Sequence, residues 1–323
     1  MASLPMSIPL STRCTRRRAI AMIAAGAGTL AAAAGCDRAA RADAGTLELV
    51  WGDRGNRPGH LQRPRAIAAD DHDRLFIADM TDRIQVFSTD GAFLHHWRLP
   101  AFNVDGPTGV SIDNAGNVMV ADTHFYRILI FTPDGEPVAT IGGVQGAEPG
   151  QFGYVREVVQ DASGYLFTSE YGWADRIQVL DPDHRFVAHW GQYGTEPGQF
   201  RRPESLALDG QGRLFVADSC NHRIQVFETN GRLLGVWGGQ GAALGQLSYP
   251  YDIAFGGDGN LYVCEWGNHR VQRFTPDGKS LGAWGRAGRD RGQLNFPWAL
   301  AVDQHGRIHV ADSSNHRVQR IVL

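Results

Sequence analysis

The chain has 323 residues, 43% of them hydrophobic and 20% charged, the composition of a folded protein and not of a disordered one. No stretch beyond residue 35 is apolar over ~18 residues, which excludes a polytopic helical membrane protein. The formal charge is −3, and beyond residue 35 there are 34 acidic against 27 basic residues, so nucleic acid is not an expected partner.

Residues 1–35 read as an export signal. Arg13, Arg16, Arg17 and Arg18 precede a small, apolar run over residues 19–35. The run TRRRAIA resembles the twin-arginine export motif, with Arg16 and Arg17 as the pair and Ala19 where an aromatic is usual. The segment closes on Ala33, Ala34, Gly35 and Cys36, which resembles a bacterial lipobox. That resemblance implies lipidation of Cys36 and a place on the periplasmic or extracellular face of a bacterial membrane. A plain signal peptide cut after Ala42 is the alternative. Residues 36–45 then form a short polar tether.

From residue 46 the sequence repeats. Arg83, Arg127, Arg176, Arg223, Arg270 and Arg317 recur at intervals of 44, 49, 47, 47 and 47. A period in the forties marks a repeat architecture. Each unit carries four short aliphatic or β-branched runs, in the fourth unit near residues 205–208, 214–217, 223–227 and 233–237. Turn sequences such as DGQGR and ETNG separate them, and 40 glycines and 15 prolines supply many such turns. Four antiparallel strands per unit make a propeller blade. The fourth strand ends on a column of Trp51, Trp97, Ile141, Trp190, Trp237 and Trp284. Trp51 precedes the first complete unit, and the last unit stops after its third strand. The prediction is therefore an all-β, six-bladed propeller over residues 46–323, closed by an N-terminal strand at residues 47–51.

The runs ADSCNHRIQ and ADSSNHRVQ, with GQFRRP or GQLNFP about 20 residues earlier, resemble the NHL repeat. The downstream three units match closely and the upstream three more loosely. The resemblance is specific for the fold and weak for function, because sites are grafted onto propellers independently. It brings peptidylglycine amidating lyase to mind as an enzyme alternative, whose zinc histidines follow the blade-opening prolines. Here those slots, or their equivalents, hold Arg65, Thr108, Arg156, Glu204, Tyr251 and Trp298, and none is His. RNA binding, known among animal NHL proteins, fits poorly with export and an acidic body.

An acid recurs in each unit: Asp79, Asp122, Glu170, Asp218, Glu265 and Asp312. Six copies of an acid–arginine pair read as scaffold. His222, His269 and His316 share one repeat position and read as structural rather than as zinc ligands. Cys264 reads as a small buried thiol, and a Cys220–Cys264 bridge is left open.

Function is expected where the repeat is broken. The loop before each blade-opening Pro and the loop after each acid lie on one face. Trp173, Trp266 and Trp298, outside the Trp column, all fall there, with Tyr171 and Tyr251. The six blade-opening residues are expected around one axial mouth, where arginines, a carboxylate and aromatic rings either hold a polar ligand or pair among themselves. The candidate binding residues are Arg65, Arg156, Tyr171, Trp173, Glu204, Tyr251, Trp266 and Trp298. The expected role is a monomeric, non-catalytic binding protein for an envelope protein, peptide or glycan. No catalytic residue, metal ligand or cofactor is assigned, and an axial divalent metal of the lactonase type is left open, with Glu204 as the one axial acid seen.

Overall fold

Each repeat folds into strands because its turns leave no other path. Asp70, Asp113, Asp161, Asp209 and Asp303 each close the turn between first and second strands. Their Oδ1 accepts backbone N–H groups two and four residues on, as Asp209 does from Gln211 at 2.9 Å and Arg213 at 2.8 Å. Turns this tight allow only antiparallel neighbours.

The computed structural model describes residues 45–101 and 106–323. The export signal with Arg16 and Arg17, the lipidation residue Cys36 and all of the tether except Gly45 lie outside the described residues. Blade 1 comprises β2 (Ala66–Ala69), β3 (Arg74–Ala78), β4 (Arg83–Ser88) and β5 (Phe93–Arg98). Blade 2 comprises β6 (Gly109–Ile112), β7 (Val118–Asp122), β8 (Arg127–Phe131) and β9 (Pro137–Gly142). Blade 3 comprises β10 (Tyr154–Gln160), β11 (Leu166–Tyr171), β12 (Arg176–Leu180) and β13 (Phe186–Trp190). Blade 4 comprises β14 (Pro203–Leu208), β15 (Arg213–Asp218), β16 (Arg223–Glu228) and β17 (Leu233–Gly238). Blade 5 comprises β18 (Pro250–Phe255), β19 (Leu261–Glu265), β20 (Arg270–Phe274) and β21 (Ser280–Trp284). Blade 6 comprises β22 (Ala299–Val302), β23 (Ile308–Asp312) and β24 (Arg317–Val322), and its fourth strand is β1 (Thr46–Trp51).

The ring closes as the sequence predicts. Strand β1 pairs antiparallel with β24, from Thr46 opposite Val322 to Trp51 opposite Val318. Arg320 adds an ion pair to Glu48 at 3.0 Å. Closure removes the free edge that β24 would otherwise expose.

The core is divided among the blade junctions. Six apolar clusters each span one pair of neighbouring blades; one holds Phe76 and Trp97 of blade 1 with Val120 and Phe131 of blade 2. The Trp column seals these junctions. The Trp51, Trp97, Trp190 and Trp237 rings lie over Gly91, Gly135, Gly231 and Gly278 in the outer turns of the following blades, where a Cβ would meet the indole at 2.5–3.0 Å. The two columns fail together: Ile141 replaces Trp, and the matching turn residue in blade 3 is His184, at φ 64, instead of Gly.

The six acid–arginine pairs are all formed, at 3.6 Å in blade 1 and 2.5–2.7 Å in the others. The arginine also holds the loop leading into its own blade. Arg223 donates to the carbonyls of Thr195, Glu196 and Gln199 at 2.6–2.8 Å. Two residues on, Gln225 donates to the same Gln199 carbonyl at 2.7 Å and accepts from Gly198 N–H at 2.8 Å. Blades 1, 3, 5 and 6 repeat this clamp through Gln85, Gln178, Gln272 and Gln319. Blade 2 has Leu129 at that position.

Candidate functional site at the axial mouth

A junction between blades aims the mouth residues. His222, His269 and His316 sit in the left-handed region at φ 54–57. The Nδ1 of each accepts the N–H of the residue before the next blade-opening Pro: Tyr249, Phe296 and Arg63, at 3.0–3.1 Å. Asp175 does the same for Arg202 at 2.6 Å. All four donor residues, Arg63, Arg202, Tyr249 and Phe296, also lie at positive φ, 49–59. This locally costly backbone swings their side chains onto the loop-rich face. The histidines are thus structural, and burial lowers their pKa.

The six predicted axial residues, Arg65, Thr108, Arg156, Glu204, Tyr251 and Trp298, all line one cavity of about 250 Å³. Arg156 and Glu204 form a buried ion pair, and Arg202 binds the same carboxylate from the other side. Guanidinium groups and rings alternate around the mouth. Arg65 lies 4.8 Å from the Trp298 ring, Arg156 lies 5.9 Å from Trp298 and 6.0 Å from Tyr171, and Arg202 lies 4.9 Å from Tyr171 and 5.9 Å from Tyr251. The arrangement is the self-paired one for Arg156 and Glu204, yet it leaves an open cavity beneath the mouth.

Beside the mouth runs an aromatic slot of about 200 Å³, lined by Arg63, Arg65, Trp266, Phe296 and Trp298. Trp266 stacks on Tyr251 at 5.5 Å and meets Phe296 at 4.4 Å. Tyr251 meets Trp298 edge-on at 5.2 Å. Of the eight candidates, the structure gathers seven at the mouth and its rim. Trp173 stands apart, 63% exposed and outside the cavity lining.

Two corrections concern residues that the sequence reading missed. Arg202, directly before Pro203, completes the ion-pair triad. Glu204 is also not the sole axial acid, because Glu157 and Asp252 line the same cavity. Asp252 accepts hydrogen bonds from Ser205 Oγ at 2.7 Å, Leu300 N–H at 2.8 Å and Ile253 N–H at 2.9 Å. Its depth in the ring pushes its pKa up to about 7. Burial, reinforced by the negative charge of Asp252, pushes Glu157 well above the carboxylate range. Cys220 and Cys264 are free thiols, with Cys264 buried as expected.

Among the described residues, the cluster of three groups able to ligate a metal is Asp70, Asp71 and His72. It lies in the turn between β2 and β3, on the face opposite the mouth.

Residues 200–227, 247–274 and 294–321 match the family model of the NHL repeat. No curated protein matches the chain in sequence. Among solved structures it is similar to a streptogramin B lyase, with TM-score 0.62 and 14% identity over 84% of this chain and 97% of that one. Virginiamycin B lyase from Staphylococcus aureus gives TM-score 0.58 and 14% identity, covering 86% and 99% of the two chains. A protein of unknown function from Bacteroides thetaiotaomicron gives 0.64 and 13%, covering 84% and 71%. At such identities the likeness is one of fold.

Proposed function

We propose that this NHL-repeat propeller is an exported binding protein, held at a bacterial membrane through a lipid on Cys36, that captures its partner with its loop-rich face. The partner is a protein, peptide or glycan of the envelope. The observation that carries this reading is the convergence of unlike side chains on one face of a ring whose other repeated residues serve the scaffold. Arg65, Arg156, Glu204, Tyr251 and Trp298 meet at one mouth, and Trp266 and Phe296 extend the surface beside it. Aromatic and arginine side chains are the usual anchors of binding surfaces. Lipid attachment is tested by Cys36→Ala, which is expected to leave a precursor or a released soluble form.

A second reading, a propeller lyase, draws on Glu157 and Asp252, because carboxylates with raised pKa in a cavity suit proton transfer. Turnover of a candidate substrate that is lost in both Glu157→Gln and Asp252→Asn would favour it over binding. Partner capture that survives both changes while falling with Trp266→Ala favours the binding reading.

A further inference from the structure

The axial cavity has two tiers of unlike side chains. In blades 3, 4 and 5 the inner-strand register shifts between Val155 and Glu157, between Pro203 and Ser205, and between Pro250 and Asp252. Each shift is a bulge, in which two successive residues stand opposite one on the neighbouring strand. Strict alternation is lost there, and both members of a pair reach the axis: Arg156 with Glu157, and Tyr251 with Asp252, all line the cavity. The second member lies one residue deeper, ~3.3 Å along the strand. The upper tier thus carries the guanidinium groups of Arg65 and Arg156, with Glu204 paired to Arg156, and the lower tier the carboxyl groups of Glu157 and Asp252.

Both tiers keep unused capacity. Arg156 is 4% exposed, yet among the described residues its Nε has no hydrogen-bond partner. Among the described residues, the hydrogen bond to Glu157 comes from the adjacent Val158 N–H at 3.1 Å, and no side chain donates to it. Asp252, by contrast, is oriented by Ser205 and two amides. A volume of about 250 Å³ admits a small molecule and no folded segment.

We infer that the axial cavity binds a free α-amino acid, its carboxylate at Arg156 and Arg65 and its ammonium at Glu157 and Asp252. One carbon separates the two charged groups of an amino acid, which suits tiers one residue apart. Guanidinium pairs with carboxylate through parallel N–H donors, and an ammonium supplies donors to the lower carboxylates. The side chain of the ligand then faces the rings of Tyr251 and Trp298. This inference goes beyond the binding reading above and rests on it for the choice of face.

The test uses calorimetric titration of the propeller with each of the twenty common L-amino acids, followed by the amide and N-acetyl derivatives of the best binder. One-to-one binding is expected for at least one amino acid, with tenfold or greater weakening in each derivative. Arg156→Met and Glu157→Gln are each expected to weaken it tenfold or more, and Asp277→Ala in an opposite turn to leave it unchanged. Thermal unfolding of each variant checks its fold; should Arg156→Met not fold, Glu157→Gln and the two derivatives decide alone. No binding by any amino acid, equal binding of the derivatives, or a response to calcium ion alone overturns the inference. If amino acids fail while partner capture depends on Trp266 and Trp298, only this inference falls. If amino acids bind and no partner is captured, it is the macromolecular partner that is lost.

Discussion

Arg156 and Glu204 form an ion pair across the junction of blades 3 and 4, with no more than 4% of either residue exposed. Arg202 approaches the same carboxylate from the mouth. Removing the carboxylate leaves Arg156 buried and uncompensated, with Arg202 partly exposed at the mouth. Glu204→Gln is therefore expected to cost about 3–5 kcal/mol in urea unfolding, since two guanidinium groups lose their counterion together. A loss below about 1 kcal/mol would place the triad in well-hydrated surroundings instead.

Closure is the second testable feature. Deleting residues 46–52 removes β1, exposes the edge of β24 and severs the Glu48–Arg320 pair. It also strips the Trp51 ring from Phe87 and Gly91 of blade 1. Unfolding is expected at a much lower temperature, with aggregation through the open edge. An unchanged melting curve would refute the pairing.

The three junction histidines give a pH signature. Burial holds His222, His269 and His316 below the usual imidazole pKa, so the folded chain keeps them neutral while the unfolded chain takes up protons near pH 6.5. Their contribution is complete above that pH and is lost as the pH falls through 6.5 and below. Asn tolerates the left-handed backbone and keeps an acceptor. The variant His222→Asn/His269→Asn/His316→Asn is expected to lose less stability than the wild type between pH 7 and pH 5. Parallel pH profiles would contradict the account.

Asp252 acts with the opposite sign. Its carboxyl binds a proton more tightly in the folded chain, with a pKa of about 7 against 3.8. Stability therefore declines as pH rises between those values and stays lower above them, by up to a few kcal/mol. In Asp252→Asn that decline is expected to shrink, measured as the difference from wild type at each pH. A difference that is constant from pH 4 to pH 8 would show that Asp252 titrates normally.

The architecture was legible because its determinants repeat. The arginine column set the register, the Trp column placed the closing strand, and the residue after each blade-opening Pro, or its equivalent, faced the axis as expected. Glu157 and Asp252 escaped because strict alternation would turn the residue after an axial one away, and the bulges that return it leave no mark in a single sequence. Arg202 escaped because a residue before Pro normally prefers extended backbone, whereas φ here is 59. The same junction, made for Arg202 by Asp175, explains that departure, and Asp175, His222 and His269, each followed 27 residues later by a residue-Pro step, were the available signal.

The central claim is that the loop-rich face binds, and capture measures it most directly. Wild-type propeller, the Arg65→Ala/Trp266→Ala/Trp298→Ala variant and Asp277→Ala are immobilised and exposed to the same envelope extract, and bound material is quantified. Anchors at such surfaces contribute about 1–3 kcal/mol each, so the triple variant is expected to lose at least tenfold in capture, with its melting temperature near that of the wild type. Asp277→Ala, in a turn on the opposite face, is expected to capture as the wild type does. Equal capture by the wild type and a folded triple variant would contradict the claim.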